Sequence, residues 1–147
     1  MPQARSHIKK SDDFPKLSKN NHKITSPQDT TYNCIAHAAG DMRRWWWPAY
    51  PGYWPSNVPR NETPEAFLVL FAIQGYEQCL NSKLEDGIEK VAIYCSRGTV
   101  THAARQLVSG MWISKLGGFE DIQHELHAIE GGLYGFAKFF MSRARSR

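Results

Sequence analysis

The sequence lacks any apolar run close to the ~20 residues that a membrane-spanning helix needs. Its 147 residues include only three cysteines, an odd number that argues against a scaffold built from disulfides. The N-terminal stretch MPQARSHIKKSDDFPKL has no apolar segment after its basic residues, so it does not have the pattern of a signal peptide. From these absences we expect a cytoplasmic protein of one domain, and secretion by a non-classical route stays open.

Positive charge is scarce in the middle of the chain, although the net charge is +4 and the isoelectric point is about 9.0. Residues 1–23 hold six basic and two acidic side chains, and residues 138–147 hold four basic and no acidic ones. Residues 24–137 therefore carry a net charge of −4. Because nucleic-acid-binding domains cluster basic residues on one face of the fold, we expect no nucleic acid partner for the core.

Metal-binding motifs are also missing, since neither CxxC nor HExxH nor the deaminase pattern occurs. Two pairs have a spacing of three residues on predicted helices, Cys34 with His37 and His124 with His127. Each pair would supply only two ligands, whereas a structural zinc site uses four. We therefore predict no metal site and no cofactor.

Three helices are predicted from capping residues and periodicity. The segment NCIAHAAGD predicts a helix that is capped by Asn33, or by Thr30 or Thr31 just before it, and that ends at Gly40. A second helix begins at Thr63, which is followed by Pro and Glu, and ends at Gly75. A third, amphipathic helix is predicted over Glu120–Glu130.

The later segments of the chain predict strands. The strongest is EKVAIYC, and the two segments on either side of Val108-Ser109-Gly110 are typical of a hairpin. The predicted strands are Tyr76–Cys79, Glu89–Cys95, Thr99–Leu107, Met111–Leu116 and Leu133–Phe140. The pattern favours an α+β domain over residues 25–142, with a flexible polar and basic arm at 1–24 and a basic tail at 143–147.

Residues 43–60 form the most unusual segment, with four Trp, two Tyr and four Pro. The prolines exclude a regular helix or a central strand, so an ordered aromatic loop is predicted. Consecutive tryptophans cannot all face the core, and exposed aromatic surface is typical of a binding site. We name Trp46, Trp47 and Trp54 as candidate ligand contacts, together with Trp45; the alternative is that the loop covers a small sheet.

Cys34 and His102 are the candidate catalytic pair. Cys34 lies at the start of a predicted helix, where backbone N–H groups and the helix dipole favour a thiolate. His102 lies early in a predicted strand and could accept the thiol proton. The alternatives are a buried structural cysteine and a hydrogen-bonded strand histidine.

This order, a Cys at a helix start followed by a His in a later hairpin, resembles the papain-like cysteine peptidases, above all the small NlpC-type cell-wall peptidases. The segments YNCIAHAAGDMRRWWWP, EKVAIY, THAARQL and WISKLG further resemble a bacterial family of uncharacterised small proteins. The resemblance implies a nucleophile helix packed on an antiparallel sheet of about four or five strands. It also implies Cys34 as nucleophile, His102 as base, and Gln28, six positions before the cysteine, as an oxyanion donor.

The residue that would orient His102 is left open. If the hairpin turn centres on Ser109, Ser114 shares a sheet face with His102, and if the turn shifts by one residue, Lys115 does. Asp121 and His124 are further alternatives. Lys115 could also bind a substrate carboxylate or depress the thiol pKa, and Arg105 could bind substrate or face solvent.

The sequence predicts two main classes of function and a third, less favoured one. The first is a thiol-dependent hydrolase or acyl transferase acting on amide or peptide bonds through Cys34 and His102. The second is a catalytically inactive binding module that uses the tryptophan loop for a protein or peptide partner. The third is a bacterial toxin or effector whose N-terminal arm serves delivery or docking.

Overall fold

The computed structural model describes residues 13–146, in which one antiparallel sheet of seven strands is flanked by two short helices. The order across the sheet is β1-β6-β5-β4-β3-β7-β2. The elements, in chain order, are β1 (His22–Ser26), α1 (Cys34–Ala39), α2 (Pro64–Ala72), β2 (Glu77–Cys79), β3 (Ile88–Ser96), β4 (Thr99–Gln106), β5 (Trp112–Lys115), β6 (Asp121–His124) and β7 (Phe136–Ala144). Among these elements, no helix is long and apolar enough to cross a membrane.

The predicted α+β, papain-like fold is wrong. The helices have six and nine residues and the sheet has seven strands rather than four or five, so the fold is β-rich. Two errors account for the difference. β1 begins inside the segment 1–24 that we assigned to a flexible arm and continues to Ser26, and β6 lies inside the predicted helix Glu120–Glu130.

The segment around β6 shows why the periodicity gave the wrong element. Ile122, Leu126 and Ile129 are buried together, as their spacing predicted. However, β6 is paired on both sides, with β5 and with β1, and the residues after His124 form turns. A strand places Ile122 and His124 on one face of the sheet and Asp121 on the other, so that each side chain reaches its contacts on that face. A helix of this length gains little stability on its own and does not compete with this pairing.

The local signals for the other elements are confirmed. Asn33 caps α1 and Gly40 ends it in the left-handed conformation at φ 85°. Thr63 caps α2, with Pro64 in the first turn. The β4–β5 hairpin pairs Arg105 with Ile113, which centres its turn on Ser109.

Two apolar clusters cover the two faces of the sheet. The first cluster holds α1, α2 and the aromatic loop against side chains such as Val91, Ile93 and Ala103. The second lies on the opposite face, where Phe14, Leu17 and the 126–134 segment pack against Ala92, Tyr94 and Ala104. Of the segment assigned to an arm, residues 1–12 lie outside the described residues, as does Arg147 of the tail.

Candidate functional site

Asn33 joins the start of α1 to the aromatic loop. Its Oδ1 accepts from the backbone N–H of Ala36 at 3.2 Å, which caps the helix, and from that of Trp46 at 3.1 Å. Its Nδ2 donates to the carbonyl of Trp46 at 2.7 Å. A single buried amide therefore holds the loop against the helix terminus that carries Cys34.

A groove opens between α1, this loop and the segment before β7, and we call it the aromatic groove. It consists of an inner depression of about 310 Å³ and an outer depression of about 420 Å³. Trp45 and Trp47 line both depressions, so the two are continuous. The other inner lining residues are Asn33, Cys34, Thr101, Gly117 and Tyr134, and the other outer ones are Thr30, Ala49, Tyr50, Pro51 and Gly52.

The tryptophans of the loop divide into two pairs. Trp46 and Trp54 are buried in the first cluster, where their indole N–H groups donate to Asp41 and to the carbonyl of Pro59. Trp45 is 39% exposed. Trp47 packs one face against Phe67 and donates to Glu62, while it also lines the groove. Of the candidate ligand contacts, the structure thus places Trp47 in the groove and Trp46 and Trp54 in the core, with Trp45 beside Trp47.

Cys34 lies at the inner end of the groove and is 5% exposed. Backbone N–H groups of Ala103, Ile35 and Cys34 itself favour the thiolate, and so does the Lys115 ammonium. Burial outweighs them and raises the pKa of the thiol to about 11. The resting thiol is therefore protonated at neutral pH.

His102 is a residue of β4, and its side chain lies on the face of the sheet opposite to α1. It pairs with Tyr94, its ring stacks on Tyr134 with centroids 4.0 Å apart, and the Tyr94 ring meets it edge-on. Cys34 packs with Ala103, the next residue along, on the other face. Among the described residues neither nitrogen of His102 has a hydrogen-bond partner, so the proposed Cys34–His102 dyad is not hydrogen-bonded.

Ser114 lies on the same face of the sheet as His102, as we predicted for a hairpin turn centred on Ser109. Its side chain, however, contacts a different histidine. Its Oγ lies 2.8 Å from Nε2 of His124, whose Nδ1 donates to the carbonyl of Glu125 at 2.7 Å. Burial lowers the pKa of His124 to about 4 and holds the pKa of His102 well below its usual value. Both imidazoles are therefore neutral, and they lie on the face of the sheet that the second cluster covers.

Lys115 is a buried structural cation. Its ammonium donates to the carbonyls of Asp29, Gly117 and Phe119, which uses all three of its protons. It ties the loop before α1 to the turn after β5 and has no proton left for a substrate carboxylate. Arg105 is half-buried and lies near enough to His37 to lower the pKa of that imidazole, after burial itself.

A buried polar cluster anchors α1 to β6. The hydroxyl of Tyr32 donates to Oδ2 of Asp121 at 2.8 Å, and Nε2 of His37 lies 3.8 Å from the same oxygen. Asp121 thus contacts the helix and the residue before its cap, not His102. Within residues 13–146, Nδ1 of His37 and Oδ1 of Asp121 have no hydrogen-bond partner.

The remaining predicted site residues lie outside the groove. Gln28 is exposed in the loop before α1. His124 and His127 are not on a helix, which removes the geometry that made them a possible pair of ligands. Along the described stretch of the chain, no group of three or more His, Cys, Asp or Glu side chains is arranged to hold a metal ion.

The groove residues that the sequence analysis missed include Tyr134, Thr101 and Tyr50. Tyr134 lies two residues before β7, and nothing in the sequence places it beside Cys34. Tyr50, which is 94% exposed, could have been found as an aromatic between two prolines of the loop.

The fold and the groove define a β-rich, single-sheet protein with an aromatic depression beside a short helix. The chain belongs to the family described as Domain of unknown function (DUF7689), which matches residues 23–142. The match spans the groove and almost all of the sheet. No curated protein and no solved structure matches the chain.

Proposed function

We propose that the protein binds a peptide segment, free or within a partner protein, in the aromatic groove. The observation that carries this proposal is the continuity of the two depressions along Trp45 and Trp47. Together they fall in the size range of about 300–1,000 Å³ that is typical of ligand sites. Tryptophan and tyrosine rings are the residues that most often supply binding energy in such sites.

The loop is built to present these rings rigidly. Asn33 holds the backbone at Trp46, the Arg44 guanidinium lies 3.7 Å from the centroid of the Tyr53 ring, and the backbone N–H of Trp47 donates to the carbonyl of Tyr53. A preorganised aromatic surface loses little conformational entropy when it binds. This favours a binding role over simple coverage of the sheet.

A display library of random peptides tests the proposal. Enriched peptides should bind the wild-type protein and lose at least about tenfold in affinity for Trp45→Ala and Tyr50→Ala, because each substitution removes an aromatic contact. Met42→Ala is the matched control, since Met42 is 54% exposed immediately before the same loop and lines neither depression. Failure to enrich any peptide, or binding unaffected by both groove substitutions, would contradict the proposal.

A second candidate is acyl transfer at Cys34, and one observation favours it. The thiol lines the inner groove and faces the backbone N–H of Ala103 and Ile35, which could also stabilise an oxyanion. The sulfur would add to an amide carbonyl carbon, the amine would leave with the thiol proton, and water would release the acid. The raised thiol pKa and the position of His102 on the other face make it the weaker candidate.

Loss of amide hydrolysis in Cys34→Ala, with the enriched peptides as substrates, would establish this second candidate. Peptides that bind both the wild type and Cys34→Ala and are recovered intact would leave binding alone.

A further inference from the structure

The lining of the aromatic groove is uncharged. Among its described residues the ionisable groups are the Cys34 thiol and the phenols of Tyr134 and Tyr50. Burial raises the pKa of Cys34 to about 11 and holds the pKa of Tyr134 well above its usual value, so both are neutral. No described carboxylate, ammonium or guanidinium lines either depression.

The amide and hydroxyl side chains of the inner depression, those of Asn33 and Thr101, are already engaged within the protein. The amide of Asn33 is used by the backbone of Ala36 and Trp46. The hydroxyl of Thr101 lies 2.7 Å from the carbonyl of Tyr134 and 3.2 Å from that of Tyr94. Because these groups are committed, they have little capacity left to solvate a charge.

The cation that acts on Cys34 is committed in the same way. Lys115 lies close enough to Cys34 to favour its thiolate, but its three protons bind backbone carbonyls. A charged side chain that entered the inner depression would lose its water without gaining an opposite charge. That loss is large enough to exclude it.

From this lining we infer that the peptide partner enters the inner depression of the aromatic groove with an uncharged aromatic or branched aliphatic side chain, seated between Trp45 and Trp47 with its tip toward Cys34, and that charged side chains are excluded there. The inference rests on the proposed function and adds the chemistry of the anchoring residue. The adjoining outer depression takes a second uncharged group of the same segment.

Affinity labelling of Cys34 tests the inference, with Cys79 as the reference within the same molecule. Cys79 is half-buried on β2, away from the groove, so the ratio of the two labelling rates cancels the intrinsic reactivity of each reagent. The probes are iodoacetamide, N-benzyl-iodoacetamide and iodoacetate, and peptide mass spectrometry reads each site. They present, in turn, a small neutral, an aromatic neutral and an anionic group to the groove.

The rate ratio of Cys34 to Cys79 should rise roughly tenfold from iodoacetamide to the N-benzyl reagent, the factor expected when one aromatic contact is added. It should fall by about the same factor for iodoacetate. Trp45→Ala should remove the rise with the N-benzyl reagent and leave Cys79 unchanged. Because Trp45 is 39% exposed, its truncation should disturb the core less than that of a buried indole.

Equal ratios for the three reagents, a higher ratio for iodoacetate, or no labelling of Cys34 by any of them would overturn the inference. The labelling experiment and the peptide selection distinguish failure of this inference from failure of the proposed function. Trp45-dependent peptides whose anchor can be changed to Glu or Lys without loss would refute the neutral anchor and leave binding standing. A neutral aromatic preference at Cys34 without any bound peptide would refute the proposed function.

Discussion

The side chain of Asn33 binds the backbone of Trp46 on both sides, with Nδ2 donating to its carbonyl at 2.7 Å and Oδ1 accepting from its N–H at 3.1 Å. The same Oδ1 caps α1. One 3% exposed side chain thus fixes the helix end beneath the groove and the loop that forms its wall.

Asn33→Ala should lower the free energy of unfolding by about 3 kcal/mol, because it removes the cap and leaves buried backbone groups of Trp46 without partners. Urea denaturation measures the change. Asn61→Ala is the control: Asn61 also accepts from a backbone N–H, that of Thr63, but it is exposed, so its loss should cost less than about 1 kcal/mol. Equal effects of the two substitutions would contradict the role of Asn33.

Gly52→Ala should damage the groove through the backbone of Trp47. A Cβ at position 52 would lie 2.7 Å from the Trp47 carbonyl oxygen and 2.9 Å from its Cβ, so the loop must shift. We expect a loss of about 1–3 kcal/mol in stability and weaker binding of the enriched peptides. Gly118→Ala, whose Cβ would meet only the Thr30 methyl at 3.4 Å, should change neither quantity by a comparable amount.

Local signals in the sequence predicted much of the fold. The caps Asn33 and Thr63 and the hairpin around Val108-Ser109-Gly110 depend on neighbouring residues alone, and all three are confirmed. Of the two turn positions left open, the structure has the one centred on Ser109. The segment after Glu120 could not be predicted in this way. Its strand is selected by distant partners, since Asp121 meets Tyr32 and His124 meets Ser114, and these contacts override the helical spacing.

The candidate site was only partly predictable for the same reason. The prolines and tryptophans of residues 43–60 correctly predicted an ordered aromatic loop. Which indoles are exposed depends on contacts outside the loop, because Trp46 donates to Asp41 and Trp54 packs against Phe67. The sequence separation of Cys34 and His102 predicts that α1 packs on β4, but it does not specify which face of β4 carries the side chain of His102. The register with β3 decides that, because it aligns His102 with Tyr94.

The reactivity of Cys34 distinguishes binding from acyl transfer. A thiol with a pKa of about 11 should react with iodoacetamide more slowly than Cys79 at neutral pH, and its rate should keep rising with pH beyond ~8.5, the value of a free thiol. The rate against pH, read by mass spectrometry at each cysteine, measures this. A Cys34 rate that levels off near neutral pH would instead indicate an activated thiolate and would favour the second candidate.

Acid should destabilise the fold through its buried histidines. An unfolded histidine titrates near 6.5, whereas burial lowers the pKa of His124 to about 4, so the unfolded state binds a proton that the folded state does not. The stabilising contribution of His124 is therefore full above pH 6.5 and falls by roughly 3 kcal/mol as the pH drops to about 4. His102, whose pKa is also lowered, adds to the loss.

Free energies of unfolding across this pH range test the effect. His124→Gln should flatten the pH dependence, since it removes one of the buried imidazoles. His127→Gln is the surface control, because the side chain of His127 is 71% exposed. An identical slope in the wild type and in His124→Gln would show that His124 is not held neutral.

The most direct measurement of groove binding is the set of indole N–H signals in a ¹H–¹⁵N spectrum of the labelled protein, recorded while an enriched peptide is added. Trp45 and Trp47 line the groove, whereas Trp112 is buried in the second cluster on the opposite face of the sheet. The signals of Trp45 and Trp47, assigned through Phe substitutions, should shift in proportion to occupancy while that of Trp112 stays in place. A peptide that binds without moving either groove signal, or that moves Trp112 alone, would show that the aromatic groove is not the binding site.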